Sequence, residues 1–504
     1  MSRLEFNLAI AAAVGRPRIA DVSQASSRSS RAPRAPQVCA TCKARKKKCD
    51  KVLPCCGYCV RKSLGCSYEP RPRAPLSLVS SRAISADPAA EEPSLYFQVH
   101  RLIRETGQFV DDISARYFQG FHHHVPVVSR ARFLRNLTLV AVPPAPFSVL
   151  LLSICLVTPR ARRERRAADV ACAQSLDPRP LYPAAKSLSA QVQGLLPPAV
   201  PLVQAGLLQA LYEYTHDRPD EAFASIAGCA RMAYTLRMHP SDGGIWPQAP
   251  GSPISSPATG ENEERDHYLQ TQEAVNTWWA LVIYERAFFC DVTVPEQPLV
   301  TVIPSGDAPL PREPTDAEGP DSAPRVPVSR LEAPDVGSFG RSAQAAWLLD
   351  QALAAFRDPA VESQLARLRG LDTTIQAFLW TLLRQCGATR DRLCEAVALT
   401  LRVLFLLHQH ILTRHCASLP PAPPEPDPAP WSLAALDAAA HMTLDVVVAH
   451  ATDPALAPRA STAPSYPYLV RAALAHVRTR KDADAWARTA EGKLCEALDR
   501  FEDT

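Results

Sequence analysis

The chain has 504 residues with a formal net charge of +4, and 47% of its residues are hydrophobic. Its most apolar run, residues 147–157, is well short of the roughly 20 residues that a membrane-spanning helix needs. This composition predicts a protein with a buried core and excludes a membrane partner.

The first 36 residues are rich in Ser, Ala, Arg and Pro. An acid-poor segment of this composition is compatible with a transit peptide. It is equally compatible with a disordered basic flank, and we favour the flank because a basic, cysteine-rich segment follows it.

Six cysteines between residues 39 and 66 repeat the spacing C-x2-C-x6-C twice, with an offset of 17 residues. Structural zinc is tetrahedral and prefers thiolates, so two ions need eight ligand positions. Six thiolates supply these only if two of them bridge both ions, and the repeat predicts Cys39 and Cys56 as the bridges. Cys42 and Cys49 would complete one site, and Cys59 and Cys66 the other. A segment of this size folds only with the help of its metal.

Other cysteines lie outside this repeat. Cys55 is interpreted as a spectator, with a redox-sensitive ligand exchange as the alternative. A disulfide framework is disfavoured because no convincing secretion signal precedes the array, and scattered thiols suit a reducing compartment. The scattered thiols are Cys155, Cys172, Cys229, Cys290, Cys386, Cys394, Cys416 and Cys495.

Positive charge is concentrated in the same segment. Residues 31–66 carry ten Lys or Arg side chains against Asp50 alone, so the remainder of the chain has a net charge near −5. This distribution predicts phosphate binding, with a solvated face or a nuclear import signal as the alternatives. We expect short helices at residues 43–48 and 60–64, and tight turns at Gly57 and Gly65.

The string from Cys39 to Asp50, followed by Pro54 and Cys56, resembles the fungal zinc binuclear cluster DNA-binding domain; Lys43 departs from the usual arginine. The resemblance implies two zinc ions and double-stranded DNA as the partner. It places Arg45 and Lys46 at the bases of a CGG-type triplet in the major groove. Phosphate-positioning residues would be Lys43, Lys47, Lys48, Arg61 and Lys62.

The rest of the chain divides by composition into a linker at 69–93 and a helical body at 94–504. Predicted helices cover residues 203–214, 278–289, 375–383 and 397–412, and a helix starting near Pro219 packs Phe223, Ile226, Ala227, Ala230, Ala233 and Tyr234 on one side. Proline-rich inserts near 240–262, 304–338 and 418–430 are predicted to be exposed or disordered. The sequence has no heptad run of apolar residues that would indicate a coiled coil. A homodimer is therefore possible, but the sequence does not decide it.

Residues 110–311 resemble the middle homology region of fungal zinc-cluster transcription factors. The similarity rests on residues 121–128, on 230–234 and on 278–286. It implies an all-α regulatory domain that contacts co-regulators or the transcription machinery. The full prediction is a mostly α protein with a basic flank at 1–36, a zinc cluster at 37–68, a linker at 69–93 and a regulatory domain at 94–504.

Three further sequence features are explained more simply by packing or solvent exposure than by a binding site. His122, His123 and His124 cannot chelate together as i, i+4 pairs do, so a core or helix-end role is favoured over metal binding. Trp278 and Trp279 favour core packing over base stacking, and the basic run 160–166 favours a solvated loop over a second import or phosphate patch. No catalytic signature is present.

These patterns predict a nuclear, sequence-specific transcription factor for RNA polymerase II genes. The alternative is a zinc-cluster co-regulator that acts mainly through protein contacts. A metabolic enzyme with a zinc appendage is the third class, and no motif supports it.

Overall fold

The computed structural model describes residues 38–52, 55–62, 66, 88–138, 143–158, 181–240, 261–312, 326–334, 336–358, 361–389, 393–415, 428–452, 463–480 and 485–502. These residues fall into two compact units, one within residues 17–87 and one that contains everything described from Pro88 onward. Apart from isolated bridge residues at Val52 and at the antiparallel pair Pro309 and Pro327, all regular structure in the described ranges is helical. The predicted mostly α class is confirmed.

The smaller unit contains two five-residue helices, α1 (Ala40–Ala44) and α2 (Gly57–Arg61). The predicted helices at 43–48 and 60–64 were placed too late, because each helix begins directly after the first cysteine of its set. The sulfur of that cysteine caps the helix, so the C-x2-C spacing is itself the first helical turn. Cysteine is not among the usual capping residues, which is why the start was missed.

The larger unit is built from fourteen described α-helices and one short 3-10 helix, Phe121–His123. In chain order the α-helices are α3 (Pro88–Glu105), α4 (Val110–Gln119), α5 (Arg130–Thr138), α6 (Ala145–Val157), α7 (Leu181–Leu195), α8 (Val200–Thr215), α9 (Pro219–Thr235), α10 (Glu261–Phe289), α11 (Ser338–Phe356), α12 (Val361–Thr389), α13 (Cys394–His415), α14 (Pro428–Thr452), α15 (Tyr466–Arg480) and α16 (Ala485–Glu502).

The first helix of this unit begins inside the predicted linker. Helix α3 starts at Pro88, six residues before the predicted boundary at residue 94. Proline is well suited to the first helical position, which is consistent with a helix that starts at Pro88. The remaining predicted linker residues, 69–87, lie outside the described ranges, as does the basic flank.

The α8–α9 hairpin confirms the predicted helical pair. Helix α9 starts at Pro219, and Phe223, Ile226, Ala230 and Ala233 are buried on its inner side. The connection is tight: Asp217 adopts a left-handed φ of 60°, and the Arg218 N–H donates to the Glu213 carbonyl at 3.0 Å. This is the Schellman arrangement that ends many helices.

Gly206 allows α8 and α9 to pack closely, since an added Cβ would lie 2.5 Å from Cys229 Sγ. We expect Gly206→Ala to destabilise the protein by about 1–3 kcal/mol, as overpacked cores do. The double variant Gly206→Ala/Cys229→Ala should recover most of this loss, because it removes the obstructing sulfur. Denaturant unfolding measures both effects.

Gly228 on α9 provides the matched control, because an added Cβ there meets nothing within 4 Å. Gly228→Ala should be neutral or stabilising by up to about 1 kcal/mol through helix propensity. Equal behaviour of the two Gly→Ala variants would contradict the packing account.

The core of the larger unit forms around its most apolar helices. Residues 147–157 are buried throughout, and Trp278 and Trp279 have no exposed surface. The predicted core role of this tryptophan pair is confirmed. Helix α13 packs against α11, α12, α14 and α15.

Two described helices are long and apolar enough to cross a membrane by length and composition. They are residues 394–414 and residues 429–452. In the most apolar window of each helix, 72% of the first and 33% of the second is buried. Packing on four neighbouring helices explains the apolar surface of the first one. Core helices of this kind pass the same test, so the finding is weak support for a membrane span.

A buried polar network joins helices that are distant in the sequence. Arg402 on α13 donates to both carboxylate oxygens of Asp291 at 2.8 Å and to the Tyr214 hydroxyl at 2.8 Å. The Tyr214 ring stacks on Tyr468 of α15, with 3.8 Å between ring centroids. A buried charge is tolerated only when it is paired, and here each charge has its partner.

The described parts of the proline-rich segment 304–338 follow the prediction of exposure only in part. Ala308, Val328 and Val336 are buried, so the described parts of this segment pack against the body. Side chains of α11 satisfy its carbonyls: Arg341 donates to Leu331 and Ala333, and Gln344 donates to Val328 and Arg330. Residues 313–325 lie outside the described ranges, as do 241–260 and 416–427 of the other two inserts.

Glu395 makes stability depend on pH. Burial raises the pKa of its carboxyl to about 7, although the Ser465 hydroxyl and backbone N–H both donate to it. An unfolded glutamate has a pKa near 4.3, so the folded state binds the extra proton between these values. The stability from this group is therefore complete below about pH 4 and is lost as the pH rises through 7.

We expect Glu395→Gln to flatten the decline in unfolding free energy between pH 5 and 8 by roughly 2 kcal/mol. Urea unfolding at pH 5, 6, 7 and 8 measures the decline for both proteins. Parallel curves would show that the carboxyl does not titrate in this range.

Candidate metal centre and basic loop

The two cysteine sets adopt the same local structure. Cys39 Sγ accepts a hydrogen bond from the Cys42 N–H at 3.4 Å, and Cys56 Sγ accepts one from the Cys59 N–H at 3.5 Å. Each of these two sulfurs therefore lies at the amino end of a helical turn that also presents the next cysteine. The repeat in the sequence is thus a repeat in the backbone.

The six sulfurs converge on one point between α1 and α2. Cys39, Cys42, Cys56 and Cys59 are fully buried, and Cys49 and Cys66 pack against them. The Cys39 and Cys56 sulfurs are 3.7 Å apart. Cys42 Sγ lies 3.6 Å from Cys56 Sγ, and Cys59 Sγ lies 3.7 Å from Cys39 Sγ.

Two groups of four sulfurs could each hold a metal ion. One contains Cys39, Cys42, Cys49 and Cys56, and the other contains Cys39, Cys56, Cys59 and Cys66. Four sulfurs at about 2.3 Å from a tetrahedral zinc stand about 3.8 Å apart, which the measured separations match. The two groups share Cys39 and Cys56. Cys55 is exposed and belongs to neither group, and none of the described cysteines forms a disulfide.

The buried thiols resist ionisation unless a cation is nearby. Burial raises the pKa of Cys39 and of Cys42, and it raises the pKa of Cys59 to about 12. The Cys59 backbone N–H acts in the opposite direction on Cys56 and lowers its pKa to about 6. A bound divalent cation supplies the charge that lets such thiols ligate as thiolates.

Asp50 joins the two halves of the unit. Its carboxylate accepts hydrogen bonds from the Gly57 N–H at 3.0 and 3.1 Å and from the Val52 N–H at 3.3 Å. An added Cβ on Gly57 would lie 2.5 Å from Asp50 Oδ2, so glycine permits this close approach. Gly57 was predicted to permit a tight turn. Its φ is not left-handed, and its contact with Asp50 was not predicted. Gly65 lies outside the described residues.

A basic loop follows α1 directly. The Lys47 N–H donates to the Cys42 carbonyl at 3.0 Å and the Lys46 N–H donates to the Lys43 carbonyl at 3.2 Å, which ends α1 in a Schellman turn. Lys46 is the left-handed residue of this turn, with φ 51°. Asp217 and Arg237 have the same backbone conformation at the ends of α8 and α9, so it ends helices here and does not mark function.

The seven cationic side chains predicted to contact DNA are all exposed. Arg45 caps α1 and Lys46 follows it, while Lys62 caps α2 in the equivalent position of the second half. The full set is Lys43, Arg45, Lys46, Lys47, Lys48, Arg61 and Lys62. Their charges are free to meet an anionic surface.

Comparison with known proteins agrees with this geometry. Residues 37–75 match the fungal Zn(2)-Cys(6) binuclear cluster domain, a zinc-binding domain. The chain therefore carries a zinc-binding domain of the fungal Zn(2)-Cys(6) class, which supports a DNA-binding transcription factor. It is similar to Transcription factor BOA15 of Botryotinia fuckeliana (strain B05.10), with 29% identity over 133 residues, which cover 26% of this chain and 69% of the relative. No solved structure matches the chain.

The three histidines, the basic run 160–166 and the region 110–311 lie outside the cysteine cluster. His122 and His123 lie in the 3-10 helix and His124 is buried, and burial lowers the pKa of His122 to about 3. The metal-capable groups found within the described ranges contain cysteines only, and the core or helix-end role of the three histidines stays a prediction. The basic run 160–166 lies outside those ranges. The match to the zinc domain does not extend to residues 110–311, so the middle homology region stays a prediction.

Proposed function

We propose that this protein regulates RNA polymerase II transcription in the nucleus by binding CGG-type DNA sites through a two-zinc cluster. The observation that carries the proposal is the pair of four-sulfur groups that share Cys39 and Cys56, next to a loop of exposed cations. Metal ligation and phosphate attraction are thereby combined in one small unit.

The zinc ions would be held as the sequence repeat indicates. Cys39 and Cys56 would be ligands shared by both ions, Cys42 and Cys49 would complete the first set of four, and Cys59 and Cys66 would complete the second. The equivalent capping geometry of Cys39 and Cys56 supports this assignment, because each lies at the same place in its half of the unit. Zinc would supply the folding free energy that so short a segment lacks.

DNA contacts would divide into two kinds. Arg45 and Lys46, at the end of α1, would donate to O6 and N7 of guanine in the major groove. Lys43, Lys47 and Lys48, together with Arg61 and Lys62 at the end of α2, would position the module on phosphates. The exposure of all seven side chains supports both roles.

The helical body, proposed as residues 94–504, would govern activity through co-regulators or the transcription machinery, and the chain could bind DNA as a homodimer. Transcription factors of this class are typically not enzymes, and we propose no catalytic activity here. The buried network around Arg402 links distant helices, which suits a body that responds as one unit.

A salt titration tests the proposal with the full-length zinc-loaded protein and two duplexes, one with a CGG site and one with the same bases scrambled. Each phosphate contact contributes a slope of about −0.9 to the plot of log affinity against log salt, so five contacts predict a slope of about −4.5. The CGG duplex should bind more tightly at every salt concentration. A flat plot with no preference would favour the zinc-cluster co-regulator that acts through protein contacts.

A further inference from the structure

Three helix ends bring a thiol, an imidazole and a phenol together in the larger unit. Cys394 is the first residue of α13, His450 lies in the last turn of α14, and Tyr466 is the first residue of α15. Cys394 Sγ is 3.7 Å from His450 Nε2, and His450 Nδ1 is 3.2 Å from the Tyr466 hydroxyl. This chain of contacts has the order nucleophile, base and orienting group.

The imidazole is suited to accept the thiol proton. Burial lowers the pKa of His450, so the ring is neutral at physiological pH. When Nδ1–H donates to the Tyr466 oxygen, the lone pair of Nε2 faces the thiol. Burial raises the pKa of Tyr466, so the phenol keeps its proton and remains an orienting partner.

The surroundings favour a thiolate at Cys394. Its position at the start of the 22-residue helix α13 places it where helix N–H groups stabilise negative charge. The neighbouring Glu395 carboxylate accepts hydrogen bonds from the Ser465 hydroxyl and N–H. The positive charge of Arg500 on α16 opposes the rise in the pKa of Tyr466. Cys394 is also partly exposed, as a cysteine that reacts with a small molecule must be.

We propose that Cys394 is a covalent modification site for α,β-unsaturated carbonyl compounds, with His450 as its base and Tyr466 as the residue that orients His450. His450 Nε2 removes the thiol proton, and Sγ forms a bond to the β-carbon of the electrophile. The electron pair of the carbon–carbon double bond moves to give an enolate, which takes the proton back from the imidazolium. The addition needs no further reactant and releases no leaving group.

The test is pulse labelling of the full-length zinc-loaded protein with a limiting amount of N-ethylmaleimide, followed by peptide mapping. Cys290 and Cys495 are internal references because both thiols are partly exposed like Cys394. We expect Cys394 to be labelled at least tenfold faster than either reference. Equal labelling rates at the three cysteines would overturn the proposal.

Two variants test the roles of the partners. His450→Gln should slow labelling of Cys394 about tenfold and return its pH profile to that of an ordinary thiol, with a midpoint near 8.5. Tyr466→Phe keeps the ring and should give a smaller loss. Unchanged labelling rates at Cys290 and Cys495 show that each variant is folded. If the Cys394 profile is unchanged in both folded variants, the base assignment is wrong.

Discussion

Replacing Cys39 with serine is expected to remove both zinc ions and to abolish specific DNA binding. Cys39 belongs to both four-sulfur groups, so its loss leaves neither tetrahedron complete. Structural zinc in small peptides contributes about 10–16 kcal/mol of binding free energy, which here would be the folding free energy of the unit. Elemental analysis of the purified full-length variant measures the zinc, and a duplex-binding assay measures the affinity.

Cys55→Ser is the matched control for this experiment. Cys55 is adjacent to the array and exposed, and it belongs to neither sulfur group. The control should retain both zinc ions and full affinity. A Cys39→Ser protein that still holds two zinc ions would contradict the bridging role.

Lys46→Ala is expected to remove the preference for a CGG-type site without loss of zinc. A well-placed contact to guanine contributes about 1–3 kcal/mol of discrimination between bases, which corresponds to roughly 5- to 150-fold in relative affinity. The side chain is exposed and takes no part in the sulfur groups, so folding should not suffer. Competition between CGG and mutated duplexes measures the preference.

Lys62→Ala provides the contrast, since Lys62 caps α2 in the other half of the unit and is also exposed. As a phosphate contact it should weaken binding to all duplexes alike and reduce the salt slope by about 1. If Lys46→Ala behaves like Lys62→Ala, Lys46 contacts phosphate and does not read bases.

The grouping of the cysteine sulfurs could be predicted because it depends on local spacing. The spacing of the cysteines determines which sulfurs are equivalent, and the structure places Cys39 and Cys56 in both sulfur groups. The contact of Asp50 with the Gly57 N–H was not predicted, although a carboxylate that precedes a glycine by seven residues was visible in the sequence. That contact depends on how the two halves of the unit pack, and spacing alone does not determine packing.

Helices in the body were predictable where local signals agree. Pro219 marks the start of α9 and an apolar periodicity marks its inner side, so both were predicted correctly. The proline content of segment 304–338 suggested exposure, but Ala308, Val328 and Val336 in its described parts are buried. Its carbonyls are satisfied by Arg341 and Gln344 from the following helix, and its apolar side chains are covered by tertiary contacts. Composition does not report such contacts.

Native mass spectrometry of the full-length protein during titration with a zinc chelator tests the shared-ligand cluster most directly. We expect two zinc ions per chain. Because they share Cys39 and Cys56, both should be lost together, and the specific DNA affinity should decrease with them. A protein that carries a single zinc, or one that loses its zinc while its DNA affinity is unchanged, would contradict the shared-ligand cluster.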